Sequence, residues 1–368
     1  MRPTGPSGGP AHAPGRHTPA PSSSDAEVLA ATRRVAAELL RPLADRTARD
    51  GVPRSHLDAL ADAGAFGLAL RAPGVLRDAV EAVSAADGAT WFVYAQHHRP
   101  LRAVAASDNR ELRENRLTPL RTGRVLCGHA VSHLARPGPP MLTATPDGAG
   151  GWRVSGRIPW LTGWGLVDAV LLGASTPDRR ILFALLSSAE LAEAGTVRPH
   201  DLWSMNATYA VSVRVTGLRV APPQIVSLRP AAPWLRDHHA QSANTHPALF
   251  GNLHATTAFL GAHEPFTARA AHATRRAAEL RTRAYALTDH QPPSEALAER
   301  LAVRAAAVDL ALRTATACVI ASGAQAMTRD ATAARLLAEA SFHAVHGQNA
   351  EARQACARER NGPAWHEG

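Results

Sequence analysis

The sequence predicts an α+β protein of several units in chain order: helices first, a β domain in the middle and a helical bundle at the end. Three observations carry this reading. Apolar residues recur at three-and-four spacing up to residue 125, alternate in twos between 126 and 230, and return to three-and-four spacing beyond. Turn-forming strings such as "TPDGAGG", "TPDRR" and "TGL" cluster in the alternating part. The 368 residues, 45% hydrophobic and 19% charged, are enough for a large globular core divided among two or three units.

Taken in order, residues 1–24, "MRPTGPSGGPAHAPGRHTPAPSSS", are rich in Pro, Gly and Ser and nearly free of large apolar side chains, so they read as a disordered tail. Residues 25–125 read as a helical domain. Its first helix places Val28, Val35, Leu39 and Leu43 near one face and ends at Gly51 and Pro53. "VPRSHLDALADAGAFGLAL" reads as a second short helix and "LRDAVEAVSAADGATWFVYAQHH" as a third. In the β domain, residues 126–230, Val211, Val213 and Val215 alternate with Ser212, Arg214 and Thr216, the repeat of a half-buried strand. "GWRVSGRIPWL", "DAVLLGAS" and "RILFALLSS" are further strands. Residues 235–360 form the bundle, with helix from near Pro247. There Leu297, Leu301, Ala305, Val308, Leu312, Ala315 and Val319 make an apolar stripe that leaves Arg300 and Arg304 outside it.

The net charge of +9 comes entirely from arginine: all 40 basic residues are Arg and none is Lys. With Ala, Gly and Pro also abundant, codon bias explains the basicity better than nucleic-acid binding, and no basic block is interleaved with aromatics. A general attraction for phosphates and other anions remains. No stretch of about 18 uninterrupted apolar residues and no secretory signature is present, so a cytoplasmic protein without membrane association is expected. Cys127, Cys318 and Cys356 are widely separated and read as free thiols. "DHHAQSANTH" has no recognised metal-ligand spacing and reads as loop and cap; no metal is expected. G-x-S-x-G, H-E-x-x-H, Walker and G-x-G-x-x-G motifs are lacking.

One stretch is out of proportion to the composition. "IPWLTGWG" places Trp160 and Trp164, two of seven Trp, around Thr162 at the end of a strand. With "VPRSHLDALADAGAFGL", "ATWFVYAQHH", "GWRVSGRIPWLT", "LWSMNATYAVSVRVTGLRVAPPQIV" and the terminal "AARLLAEASFHAVHGQNAEARQA", the chain after its tail resembles the acyl-CoA dehydrogenase family. The resemblance implies an N-terminal helical domain, a central β-barrel, a C-terminal four-helix bundle, bound FAD and a homodimer or homotetramer. It implies that Trp160 packs on the flavin ring, that Thr162 hydrogen-bonds near its reactive nitrogen, and that Ser132, Gly323, Gly347 and Gln348 belong to the cofactor site. Trp164 has no counterpart and is expected to pack.

The departures bear on mechanism. In "AVSHLARPGPP", His133 stands where the family has Glu, and Arg136 where it uses a Ser hydroxyl toward phosphate. His346 replaces the glutamate that removes the α-proton of an acyl-CoA thioester, and "NTHPALFGNLHATTAF" supplies no substitute acid. His346 is the candidate base, an imidazole having a pKa near 6.5. His97, His98, His246 and His254 are expected around the same site. The expected function is an FAD-dependent oxidoreductase acting on the CH–CH group of an acyl thioester, such as an acyl-CoA, or a related small molecule. A flavin-dependent monooxygenase or oxidase of the same fold is the alternative, and a non-catalytic scaffold homologue the third.

Overall fold

Ser24 opens the helical part: its hydroxyl accepts the Glu27 amide while the Glu27 carboxylate accepts the Ser24 amide, a reciprocal cap that fixes where α1 (Asp25–Val35) begins. The computed structural model describes residues 24–360, so the expected tail up to residue 23 lies outside the described residues. α1 passes through one wider π turn, Ala36–Leu40, into α2 (Arg41–Asp50), which stops at Gly51. The second expected helix is shorter than its sequence suggested. α3 (Arg54–Asp62) ends before Gly64, and a 3₁₀ segment, Ala65–Leu70, follows.

The third expected helix is two. Asp87, with extended φ and ψ, ends α4 (Pro73–Ala86) and caps α5 (Gly88–Gln96) by accepting the amides of Ala89 and Thr90. α6 (His98–Ala105) then turns off at His97. α7 (Arg110–Arg121) completes this part. Its core gathers Phe66, Trp91, Tyr94 and many Leu, all nearly fully buried.

The strands are β1 (Cys127–Ala130), β2 (Leu142–Pro146), β3 (Trp152–Leu161), β4 (Ala169–Ser175), β5 (Arg180–Ser187), β6 (Gly195–Pro199), β7 (Val211–Val220) and β8 (Ile225–Pro230), with α8 (Ser188–Ala194) between β5 and β6. They form a single sheet ordered β6-β7-β3-β2-β4-β5-β8, with β1 parallel to β4. The expected barrel is corrected here: β6 and β8 do not pair, and the sheet stays open. The physical reason lies at its ends. On β8 the carbonyls of Val226 and Ile225 are taken by Ser107 Oγ and Asn109 Nδ2, and β6 is a five-residue strand ending in Pro199. Trp164 packs, half-buried, against the sheet core, as expected.

α9 (Ala231–Ser242) turns most of the "DHHAQSANTH" string from the expected loop into helix. His246 does cap: its Nδ1 accepts the Ala248 amide at the start of α10 (Pro247–Gly261). α11 (Thr267–His290), α12 (Leu297–Ser322), α13 (Thr332–Val345) and α14 (Ala350–Arg360) follow. α12 with the turn after it is long and apolar enough to cross a membrane by composition, but it packs among α10, α11, α13 and α14.

α12 also corrects the apolar stripe. Arg300 and Arg304, expected outside it, are 2% and 6% exposed, whereas Leu297 is exposed. The guanidinium groups cap other helices. Arg300 donates to the carbonyls of Leu287, Gln291 and Pro292 at the end of α11, to Glu295 O, and to Asn244 Oδ1. Arg304 donates to Ser242 O at the end of α9 and to the carbonyls of His346 and Gly347 after α13. Each cation thus meets unpaired carbonyls and the negative end of a helix dipole.

Candidate functional site

α5 carries Trp91 and Phe92, and α13 brings Phe342, His343 and His346 against them. The Phe342 and His346 rings stack at 5.0 Å and 26°, while Trp91 meets His343 at 5.2 Å and His346 at 5.8 Å. His246 comes from the start of α10, 5.2 Å from the His346 ring. His343 in the last turn of α13 and His346, the residue that caps it, therefore reach the same aromatic wall from one helix end.

These imidazoles are neutral. Burial, then the charge of Arg304, pushes His246 down to about 4, and burial with neighbouring His246 and Arg304 pushes His343 to about 3. His346 lies well below its ordinary value through burial, His246, His343 and Arg304. His246 itself is exposed at the start of α10. Its Nδ1 is occupied as a cap acceptor, so its proton sits on Nε2. The His346 ring makes no hydrogen bond among the described residues.

Of the other histidines expected here, His98 is buried edge-on to Tyr94, and His246 contributes to its depressed pKa. His97 is structural: Nε2 donates to Leu120 O and Nδ1 accepts the Cys127 amide. His254 is exposed on α10. His129 on β1, which the sequence reading missed, donates from Nδ1 to Gln96 O and is near enough to His346 to depress it. Also missed were His343 and the aromatic wall of Trp91, Phe92 and Phe342, although the three-residue spacing of His343 and His346 was a readable signal. Among the described residues no group of three His, Cys, Asp or Glu is arranged to hold a metal.

Carboxylates are committed elsewhere. α5, α6, β1 and α10 contain none, and Asp237 on α9 is exposed. Glu339 on α13 is buried, paired with Arg335 at 2.8 Å and facing the Gly88 amide. Asp87 caps α5 and accepts the Thr90 hydroxyl at 2.7 Å.

The strand-end residues lie against β1 and α5. Trp160 is 38% exposed and stacks on His200 at 4.1 Å and 27°. Thr162 is buried except for 7% of its surface, and its hydroxyl makes no hydrogen bond among the described residues. A Cβ at Gly128, the residue before His129, would sit 3.3 Å from the Thr162 carbonyl, and one at Gly163 would sit 3.4 Å from Val93 on α5. Gly163, with φ of +82°, makes the turn that brings Thr162 there. An open aromatic surface beside an unengaged hydroxyl suits a flat ring with polar edges, so these residues fit a flavin.

Ser132 is exposed in the 3₁₀ turn Ser132–Ala135, and Arg136 is exposed after it. His133 points inward, Nε2 donating to Gly173 O at 2.9 Å. Gly323 ends α12 and Gly347 follows α13, both exposed and with φ near +60°. Gln348 is half-buried, its amide 3.8 Å from Cys356 Sγ. None of these touches the Trp91 and His346 cluster through a ring contact or side-chain hydrogen bond.

No protein-family model matches the chain, and no curated protein sequence matches it. Solved structures do. Butyryl-CoA dehydrogenase from Megasphaera elsdenii is similar with a TM-score of 0.75 at 14% identity, over 92% of this chain and 98% of that one. A glutaryl-CoA dehydrogenase from Mycobacterium smegmatis in complex with FADH2 gives 0.73 at 14% identity, over 92% and 95%. The dibenzothiophene monooxygenase from Paenibacillus sp. A11-2 gives 0.67 at 18% identity, over 90% and 95%.

Proposed function

We propose that this chain, which has the fold of the acyl-CoA dehydrogenases, is a flavin-dependent oxidoreductase that works with neutral histidines where relatives use a carboxylate. The observation that carries the reading is the His246, His343 and His346 cluster, uncharged, with no acid on α5 or α10 and with Glu339, the acid of α13, paired to Arg335. Abstraction of an α-proton from a thioester asks for a base of substantial proton affinity, and an imidazole far below 6.5 is a poor one. This disfavours the acyl-CoA dehydrogenase reaction and favours a monooxygenase reaction like that named for the Paenibacillus neighbour.

Trp160 and Thr162 would hold the flavin, FAD by the resemblance, and Ser132, Gly323, Gly347 and Gln348 are the remaining candidates for its contacts. When bound, the flavin supplies two-electron chemistry and, once reduced, reacts with dioxygen. The chain's own part is polar positioning beside an aromatic wall. His246 presents an Nε2 proton as donor. His346, with both nitrogens unengaged, accepts a hydrogen bond or takes up a proton from a substrate hydroxyl or nitrogen only transiently, given its low proton affinity. Trp91 packs against both rings, and Phe92 and Phe342 against that of His346.

The test begins with the visible spectrum after loading FAD and desalting. Retained FAD, oxygen uptake by the reduced protein and loss of coupled product in His346→Ala are the expected results. Bleaching of bound FAD by acyl-CoA thioesters without oxygen would restore the dehydrogenase reading, and failure to retain or use any flavin would leave the scaffold reading.

A further inference from the structure

Charge on the open sheet is sorted by face. β2, β3, β7 and β6 turn Val154, Ile158, Val213, Val215 and Leu218 into the core, and the residues between them outward. Five of those outward residues are arginines, all exposed: Arg153 and Arg157 on β3, Arg214 and Arg219 on β7, and Arg198 on β6. The register sets them side by side. Arg153 lies opposite Arg219 and Arg157 opposite Arg214, while Arg198 lies opposite Ser212, two residues from Arg214. Thr143, Thr145, Ser155 and Thr196 fill neighbouring positions of the same face.

Like charges directly opposite on neighbouring strands oppose folding, and the four strands contain no acid to relieve them. Glu193, Asp147 and Asp201 lie in the segments that flank the strands. Among the described residues only Asp147 pairs with the grid, 3.7 Å from Arg219, and Arg153 donates to Gly217 O. The side chains of Arg157, Arg198 and Arg214 make no hydrogen bond or ion pair among the described residues. Codon bias accounts for arginine in place of lysine, but not for this sorting. On the helices, exposed arginines such as Arg46, Arg54 and Arg110 meet an acid one turn away.

We propose that this arginine face docks a partner protein through a carboxylate-rich surface. Cross-strand neighbours stand about 5 Å apart, which matches carboxylates three and four residues apart on a helix. The four strands expose one large apolar side chain, Trp160 at the end of β3, and His200 already stacks on it at 4.1 Å. The face therefore has no apolar group to insert into a bilayer and no free ring on which bases stack. Four strands about 4.8 Å apart and about seven residues long cover roughly 19 Å by 23 Å, or about 400 Å², about half of what one side of a stable complex buries. Association is accordingly transient and weakens with salt. The proposal is independent of the flavin reading.

The full chain is titrated against labelled poly-L-glutamate at low salt, about 50 mM, with fluorescence anisotropy as the readout. Three forms are compared: wild type, the sheet variant Arg157→Gln/Arg198→Gln/Arg214→Gln, and a control that loses the same charge from exposed arginines of α1 and α11, Arg34→Gln/Arg269→Gln/Arg275→Gln. The sheet variant binds about tenfold or more weakly than wild type and the control stays within about twofold. The sheet variant also melts no lower than wild type, because like charges have been separated. Equal losses in the two variants would overturn the proposal by showing that binding follows net charge, as would a wild type that does not bind. Should the triple variant melt lower, Arg198→Gln on the edge strand replaces it, with about a twofold loss expected and no loss overturning the proposal. A single-stranded oligothymidylate and vesicles of phosphatidylcholine with phosphatidylglycerol are titrated alongside. If either binds wild type more tightly than poly-L-glutamate and loses that binding in the sheet variant alone, the face serves nucleic acid or membrane and the proposal falls.

Discussion

Arginine at two positions shows how surroundings turn a buried cation into a structural cap. Arg300 is 2% exposed and all of its partners are carbonyl oxygens or an amide oxygen at the end of α11 and before α10. Arg300→Ala is expected to cost about 3 kcal/mol or more, since several buried acceptors lose their donor together; urea unfolding of the variant checks this. Arg300→Lys, with fewer donors and no fork, should recover only part. Arg304, which caps α9 and the end of α13 in the same way, is expected to behave alike. Trp160 is a third case, an aromatic ring 38% exposed with His200 on one side. If the flavin covers it, Trp160→Ala weakens FAD binding by about tenfold or more and Trp160→Phe by less, as fluorescence titration would measure; unchanged affinity would move the flavin away from the end of β3.

At the scale of elements, strands were the most legible part because alternation is a short-range pattern. "GWRVSGRIPWL", "DAVLLGAS" and "RILFALLSS" correspond to β3, β4 and β5 with ends displaced by a residue at most. Helix breaks were less so. The Asp87–Gly88 pair is a readable break signal, yet the apolar spacing on both sides is continuous, and only the packing of Gly88 against Glu339 shows why the chain must reset there. The open sheet was illegible from strand patterns, since closure depends on which side chains reach its edges. The same holds for the site: His346 was findable by register, whereas Trp91 and Phe92 meet it only through tertiary packing. Asp87 offers a direct test. Asp87→Ala should lose about 2 kcal/mol, from the α5 cap and the Thr90 hydroxyl bond. Asp87→Asn preserves the cap and removes a carboxyl whose pKa burial raises, so it should stay within about 1 kcal/mol of wild type in urea unfolding. An equal loss in both variants would mean that the ionised form is what holds the turn.

For the molecule as a whole, the neutral histidines set its response to acid. Burial lowers His97 to about 4 and His343 to about 3 in the folded protein, while the unfolded chain titrates them near their ordinary 6.5. Below pH 6.5 the unfolded state therefore binds protons that the folded state refuses. The stability these rings contribute is complete above that pH and falls as pH drops toward the folded values. Between pH 7.5 and 5.5 each of the two, 1% and 5% exposed, is expected to cost about 1.3 kcal/mol. His56, His98 and His133, also buried and depressed, add to the same slope. Asp87 and Glu339 act in the opposite direction, because burial raises them and their contribution grows as pH falls through their folded pKa. Five buried histidines against two carboxyls leave a net loss, so urea midpoints should decline from pH 7.5 to 5.5 by more than 2 kcal/mol in unfolding free energy. His343→Leu removes one titrating ring and should shrink that decline by about 1.3 kcal/mol. A stability that holds level or rises over this interval would show the carboxyls dominant. A decline that His343→Leu leaves unchanged would instead show His343 titrating near its ordinary value, and would remove the argument that its neighbour His346 is too weak a base for thioester chemistry.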